Sequence, residues 1–133
     1  MGLFKGRAPM PRRPRILVID DEPDVLESVA TLIQHGIDAD VETVTSAREG
    51  LGRMGQESFD LVVTDFRMPG MDGCEFLAEA SKVAPTTPRI MMSAYSDAAL
   101  EARAWALGLC LFFAKPLLPE SFLPGVRHCM RAA

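Results

Sequence analysis

Five polar residues of this sequence stand where chemistry would need them. Asp20 and Asp21 follow the apolar run ending at Ile19, Asp65 follows Leu61–Thr64, Ser93 follows Ile90–Met92, and Lys115 follows Leu109–Ala114. Taken singly, each has an ordinary explanation: paired Asp before a helix complements its dipole, a serine ends many strands, and a lysine before proline is usually solvated. Together, at matching positions on separate runs, they describe a site. Three carboxylates brought together repel one another unless a cation lies between them, and an all-oxygen set selects a hard ion such as Mg2+. An ammonium and a hydroxyl beside them offer charge and hydrogen bonds to an anion with several oxygens, which describes a phosphoryl group. No glycine-rich phosphate loop is present, and His35 and His128 lie away from these residues. Nucleotide hydrolysis is therefore disfavoured, and the natural nucleophile is a carboxylate that becomes an aspartyl phosphate.

For these residues to meet, the apolar runs must be parallel strands whose carboxyl ends share one edge, the edge at which open α/β sheets bind ligands. The rest of the chain reads that way, as short apolar runs alternating with longer amphipathic stretches. Arg15–Ile19 suits a strand covered on both faces. Pro23 suits a first helical position, and Val25, Leu26, Val29, Leu32 and Ile33 recur with helical spacing until Gly36. A second strand over Val41–Val44 leads to Ser46-Ala-Arg-Glu49, which has the capping-box form and predicts the start of helix two. Leu61–Thr64 is strand three, and Phe76, Leu77, Ala80, Val83 and Ala84 predict helix three after the turn from Met68 to Gly73. Ile90–Met92 is strand four, Ala98–Leu107 helix four with Gly108 as its stop, and Leu109–Ala114 strand five. Helix five, within Glu120–Met130, should be kinked or short, because Pro124 removes a backbone donor and clashes with the preceding turn.

The chain has 133 residues, 48% apolar and 24% charged, which is one ordinary globular domain rather than a disordered or fibrous chain. Its longest uncharged apolar stretch, Ala104–Ala114, is too short to span a bilayer, so no membrane role is expected. The first fifteen residues carry +5 through Lys5, Arg7, Arg12, Arg13 and Arg15, so the net charge of −4 leaves −9 on the rest. An acidic body argues against nucleic-acid binding by the domain itself, and residues 1–14 read as a basic, Pro-rich arm before a domain over 15–133. Cys74, Cys110 and Cys129, odd in number and widely spaced, suggest neither a disulfide framework nor zinc ligands, and a reducing cytosol fits them. Cys110 is expected to pack in strand five. Met68, Met71, Met91 and Met92 read as turn and core fillers, while Trp105 is either half-buried packing or a partner surface.

The segments Ile19-Asp-Asp-Glu-Pro23, Thr64–Gly73, Ser93-Ala94 and Ala114-Lys-Pro116 resemble the receiver domain of two-component response regulators, over Arg15 to about Met130. The resemblance implies a flavodoxin-like receiver fold, α/β and doubly wound, with five parallel strands in the order 2-1-3-4-5 and five helices. It implies that Asp65 accepts a phosphoryl group from a histidine kinase or histidine phosphotransfer protein. Asp21 would bind Mg2+ directly and Asp20 mainly through water, with Asp65 and the backbone carbonyl of Arg67 completing the set. Ser93 and Lys115 would hold the phosphoryl oxygens, Ser93 and Phe112 would form the switch, and Arg67 and Tyr95 would tune the lifetime of the phosphate. The output would be binding, to a downstream protein or a second copy, through helix four, strand five and helix five. The implied protein is a cytoplasmic phosphoacceptor switch rather than an enzyme with its own substrate. A small Mg2+-dependent phosphatase is the competing class, disfavoured because such enzymes place a second Asp two residues after the nucleophile, where Asp20 has Glu22. A receiver-like module that works without phosphorylation is disfavoured because no acceptor, acidic-pair or lysine residue is missing.

Overall fold

The computed structural model describes residues 12–94 and 97–132. Strands and helices alternate: β1 (Arg15–Ile19), α1 (Pro23–Gly36), β2 (Asp40–Val44), α2 (Ala47–Gln56), β3 (Leu61–Asp65), α3 (Gly73–Val83), β4 (Arg89–Ser93), α4 (Ala98–Ala106), β5 (Leu111–Ala114) and α5 (Pro119–Ala132). The strands form one parallel sheet in the order β2-β1-β3-β4-β5, as expected. Among the described residues, no helix is long and apolar enough to cross a membrane.

Successive strand residues turn to opposite faces, and both faces are covered. Ile16, Val18, Leu61, Val63, Ile90 and Met92 pack with Leu26, Val29 and Ile33 of α1 and with Phe122, Val126 and Cys129 of α5. Leu17, Ile19 and Val62 meet Ala47 and Met54 of α2 and Phe76 and Ala80 of α3, while Met91 meets Cys74, Leu77, Leu100 and Ala104 of α3 and α4. A strand enclosed on both sides has no room for a charge until it ends. Polar chemistry therefore collects at the run ends. The methionines of these runs are core fillers, with Met68, Met91 and Met92 all buried.

The structure corrects two expectations. Of the two forms expected for helix α5, kinked or short, the short one is overturned: the helix runs without a break from Pro119 through Pro124 to Ala132. Proline inside a helix costs roughly 3 kcal/mol, but Phe122 and Val126 are fully buried, and each such side chain contributes roughly 1.5–3 kcal/mol. Packing outweighs the lost backbone bond. The cysteine expectation is also overturned, because Cys110 and Cys129 form a disulfide with Cα atoms 6.2 Å apart, leaving Cys74 as a buried free thiol. That pairing depends on α5 continuing past Pro124, since only then does Cys129 come back over the residue before β5. At α2, Ser46 Oγ accepts from Glu49 N at 3.1 Å, the serine arm of the expected box.

At the sheet edge opposite the run ends, Arg15 and Arg53 each pair with both Glu42 and Glu57. The Arg15 guanidinium also lies 4.8 Å from the Phe59 ring centre. Hydrogen bonds from Arg53, then Arg15, lower the Glu57 carboxyl from its ordinary 4.5 to about 2. A depressed folded-state value contributes stability that is complete above 4.5 and is lost as pH falls through about 2. Glu57→Gln should melt about 2–5 °C below the parent chain at pH 7. That gap should close on acidification between pH 4.5 and 2 in a calorimetric series. A gap that stayed constant over the window would show that the network does not stabilise through Glu57 charge.

Candidate functional site

Sheet register brings the run ends together. Ile19 pairs with Thr64, so the next residues, Asp20 and Asp65, lie side by side on β1 and β3. Asp65 pairs with Met92 and Ser93 with Ala114, which sets Ser93 one step past the acid and Lys115 one step past Ser93's partner. Lys115 N donates to Ser93 O at 2.8 Å, extending the ladder to the lysine. The following Lys115–Pro116 peptide is cis.

Lys115 Nζ lies 3.0 Å from Asp20 Oδ2 and 2.9 Å from Asp65 Oδ1, bridging two buried carboxylates. The other oxygen of Asp20, Oδ1, accepts from Glu22 N at 2.9 Å and so shapes the turn into α1. Asp21 is exposed, and one oxygen from each of Asp20, Asp21 and Asp65 falls within a mutual 4.8 Å. Burial pushes the Asp65 carboxyl above its ordinary 3.8, and the Asp20 charge adds to this against the hydrogen bonds from Lys115 and Phe66. Burial alone would lower the Lys115 ammonium, but its bonds to Asp65 and Asp20 and their charges carry it above its ordinary 10.5. The lysine therefore stays protonated at any physiological pH.

These residues fit a divalent cation. Three carboxylates against one ammonium leave two negative charges, and the donors are all hard oxygens. Beside Asp21 a cleft opens between Phe66, Arg67, Met68, Pro69 and Asp72, so the Arg67 backbone borders the acidic cluster. Ser93 is buried at the end of β4. Phe112 is half-buried on β5 opposite Met91, packed against the cluster that holds Leu100 and Ala104 of α4. Tyr95 lies outside the described residues.

Sequence reasoning missed what fixes Asp65 from behind. Asp72 and Glu75 form a full capping box at the start of α3, with Glu75 N to Asp72 Oδ1 at 2.8 Å and Asp72 N to Glu75 Oε1 at 2.9 Å. The Asp-x-x-Glu spacing carried that signal. Gly73 N donates to Phe66 O at 2.7 Å, and a side chain at Gly73 would meet Phe66 Cα at 2.8 Å and Asp65 O at 2.9 Å. Only glycine lets α3 begin this close to the acid's backbone, and that close approach was not readable from the turn sequence.

Residues 16–126 match the family model for the response regulator receiver domain. The chain is 35% identical over 103 residues to the transcriptional regulatory protein GlrR of Escherichia coli, covering 77% of this chain and 23% of that protein. It is 29% identical over 118 residues to the response regulator protein TmoT of Ectopseudomonas mendocina, covering 89% and 53%. The chain thus spans about half or less of these curated relatives. A CheY-like receiver domain protein from Methanospirillum hungatei superposes with a TM-score of 0.86 at 27% identity, covering 91% of this chain and 96% of that one. The chemotaxis protein CheY4 of Vibrio cholerae gives 0.82 at 25% identity, covering 89% and 99%.

The raised Asp65 carboxyl has a consequence for the metal-free fold. A folded-state value above the unfolded 3.8 means that ionisation costs stability, a cost absent below pH 3.8 and growing as pH rises through the folded value. Without divalent cations at pH 7, Asp65→Asn should melt higher than the parent by roughly 3–6 °C. Added Mg2+ should stabilise the parent more than the variant. Equal melting points with and without Mg2+ for both proteins would contradict this account of the acidic cluster.

Proposed function

Because this chain belongs to the response regulator receiver domain family of two-component signalling, we propose that Asp65 is its phosphoacceptor and that phosphorylation alters binding to a partner. The observation that carries this reading is Lys115 held between Asp65 and Asp20, with Asp21 completing an all-oxygen cluster at one sheet edge. The phosphoryl donor is a histidine kinase or histidine phosphotransfer protein. An Asp65 carboxylate oxygen attacks phosphorus as the P–N bond to the donor imidazole breaks; the departing nitrogen takes the bonding electron pair and the ring takes up one proton from solvent, leaving neutral imidazole. Asp21 and Asp65, Asp20 through water and the Arg67 backbone carbonyl would hold Mg2+, which would supply charge neutralisation for the phosphoryl oxygens. Lys115, protonated throughout, turns from the carboxylates to the incoming oxygens, and the Ser93 hydroxyl donates to them. No external substrate is turned over. The domain occupies residues 15–133, operates in the cytoplasm and binds neither membrane nor nucleic acid directly. Residues 1–14 form its basic arm, whose end is tied down where Arg13 pairs with Asp38 at 3.2 Å and Asp40 at 3.4 Å.

Movement of Ser93 toward the phosphoryl group frees space beside β5, and the Phe112 ring turns inward to fill it. The face of α4, β5 and α5 changes with it. Trp105 of α4, 44% exposed, and Leu118 before α5, 54% exposed, are the apolar groups this face offers a downstream protein or a second copy. Arg67 and Tyr95, two residues beyond Asp65 and Ser93, shield the phosphate from water.

Intact-mass measurement with Mg2+ and acetyl phosphate should show one added phosphate on the parent and none on Asp65→Asn. Shortening Arg67 and Tyr95 to Ala should speed its loss several-fold. Labelling of Asp65→Asn at the parent rate would remove Asp65 from the role. For the output face, amide shifts recorded with and without beryllofluoride should change from Trp105 through Phe112 as well as at the metal site. Changes confined to Asp20, Asp21 and Asp65 would rule out this route.

A further inference from the structure

The receiver reading leaves Cys110 and Cys129 without a role. We infer that this pair is a reversible thiol–disulfide modification site that clamps α5 onto β5. Helix α5 faces β5 at Gly125, against which the Phe113 and Leu111 side chains pack: a side chain there would meet Phe113 Cζ at 2.6 Å and Leu111 Cδ1 at 3.0 Å. Cys129 stands four residues on, so it projects from the same helix face one turn later. There it reaches Cys110, the residue just before β5, with Cα atoms 6.2 Å apart, inside the range that a disulfide spans without backbone movement.

The two sulfurs differ in access. Cys129 is fully buried while Cys110 is half-buried, so exchange enters through Cys110. A low-molecular-weight disulfide of the glutathione class is the oxidant: the Cys110 thiolate attacks it and releases one small thiol. The Cys129 thiolate then attacks the Cys110 sulfur, releasing the second small thiol and closing the link. Two protein thiols are oxidised, one small disulfide is reduced, and two thiol protons leave with the small thiols. Cys74 does not compete, because it is buried on the other face of the sheet and burial raises its thiol.

The clamp acts where α5 is weakest in its own backbone. Pro124 has no N–H to donate to the preceding turn, so one backbone bond is missing there, and the buried Val126 and Cys129 side chains hold the helical residues that follow against the sheet. Opening the disulfide loosens residues 125–132. If the α4, β5 and α5 face is the output surface, oxidation also limits how far α5 follows a change at Phe112. That last consequence rests on the proposed function, whereas the clamp does not.

The full chain is incubated with glutathione disulfide or with dithiothreitol and then alkylated under denaturing conditions. One thiol should react after oxidation, from Cys74, and three after reduction. The oxidised chain should melt roughly 10 °C higher. Its amides over residues 125–132 should exchange at least about tenfold more slowly. Cys110→Ser should be indifferent to the oxidant, whereas Cys129→Ala should stop at the small-thiol mixed disulfide on Cys110, and neither variant should gain the higher melting point or the slowed exchange. Should Cys129→Ala fold poorly, Cys110→Ser at the half-buried position gives the same test. Three reactive thiols after oxidation, a disulfide-linked dimer, or equal exchange over 125–132 in the two states would overturn the clamp. None of these readouts contains phosphate, so failure of Asp65 to be labelled sinks the receiver mechanism without touching them.

Discussion

Two carboxylates, Asp20 and Asp65, are buried beside each other at the end of adjacent strands, and one ammonium lies between them. Burying an ion costs several kcal/mol even after relaxation, and burying two of like sign adds their repulsion. The arrangement survives because Lys115 contacts both and because Asp21 leaves the cluster open to a cation. Much of the fold serves that one balance. The parallel sheet puts every carboxyl end on one edge, the register offsets neighbouring strands by single residues, and Gly73 lets α3 close behind Asp65.

How far this was legible in the sequence follows from range. The strands and four of the helices could be read because apolar runs and caps are local, and the site residues because enclosed strands admit polar groups only where they end. Strand order came from resemblance, since periodicity does not say which strand neighbours which. Pro124 misled because the penalty it imposes is local while the burial of Phe122 and Val126 that overcomes it is tertiary. The disulfide was hidden for the same reason, as its two cysteines meet only when α5 is complete. Gly73 was visible as a turn residue, but its contact with Phe66 and Asp65 backbone was not.

A buried cation shapes the far edge of the sheet. Arg89, 6% exposed, directs Nη1 to Ala84 O and Nη2 to Gly108 O, each at 3.5 Å. Those carbonyls stand just beyond the ends of α3 and α4, where helix dipoles favour positive charge. The two lysine- and arginine-centred clusters thus sit at opposite ends of the same sheet. One fixes the acids at the carboxyl ends of the strands, and the other closes the helices that return from them.

Helix α4 buries only Leu100 and Ala104, whereas α1 and α2 bury three residues each and α3 five. Its outward residues Ala102, Arg103, Trp105 and Ala106 are exposed. Substitutions at such positions usually change stability by less than about 0.5 kcal/mol. The acids and the lysine, by contrast, are locked into the sheet and its register. The outer face of α4 can therefore be redrawn at little cost to the fold, while the acids and the lysine stay where the register puts them.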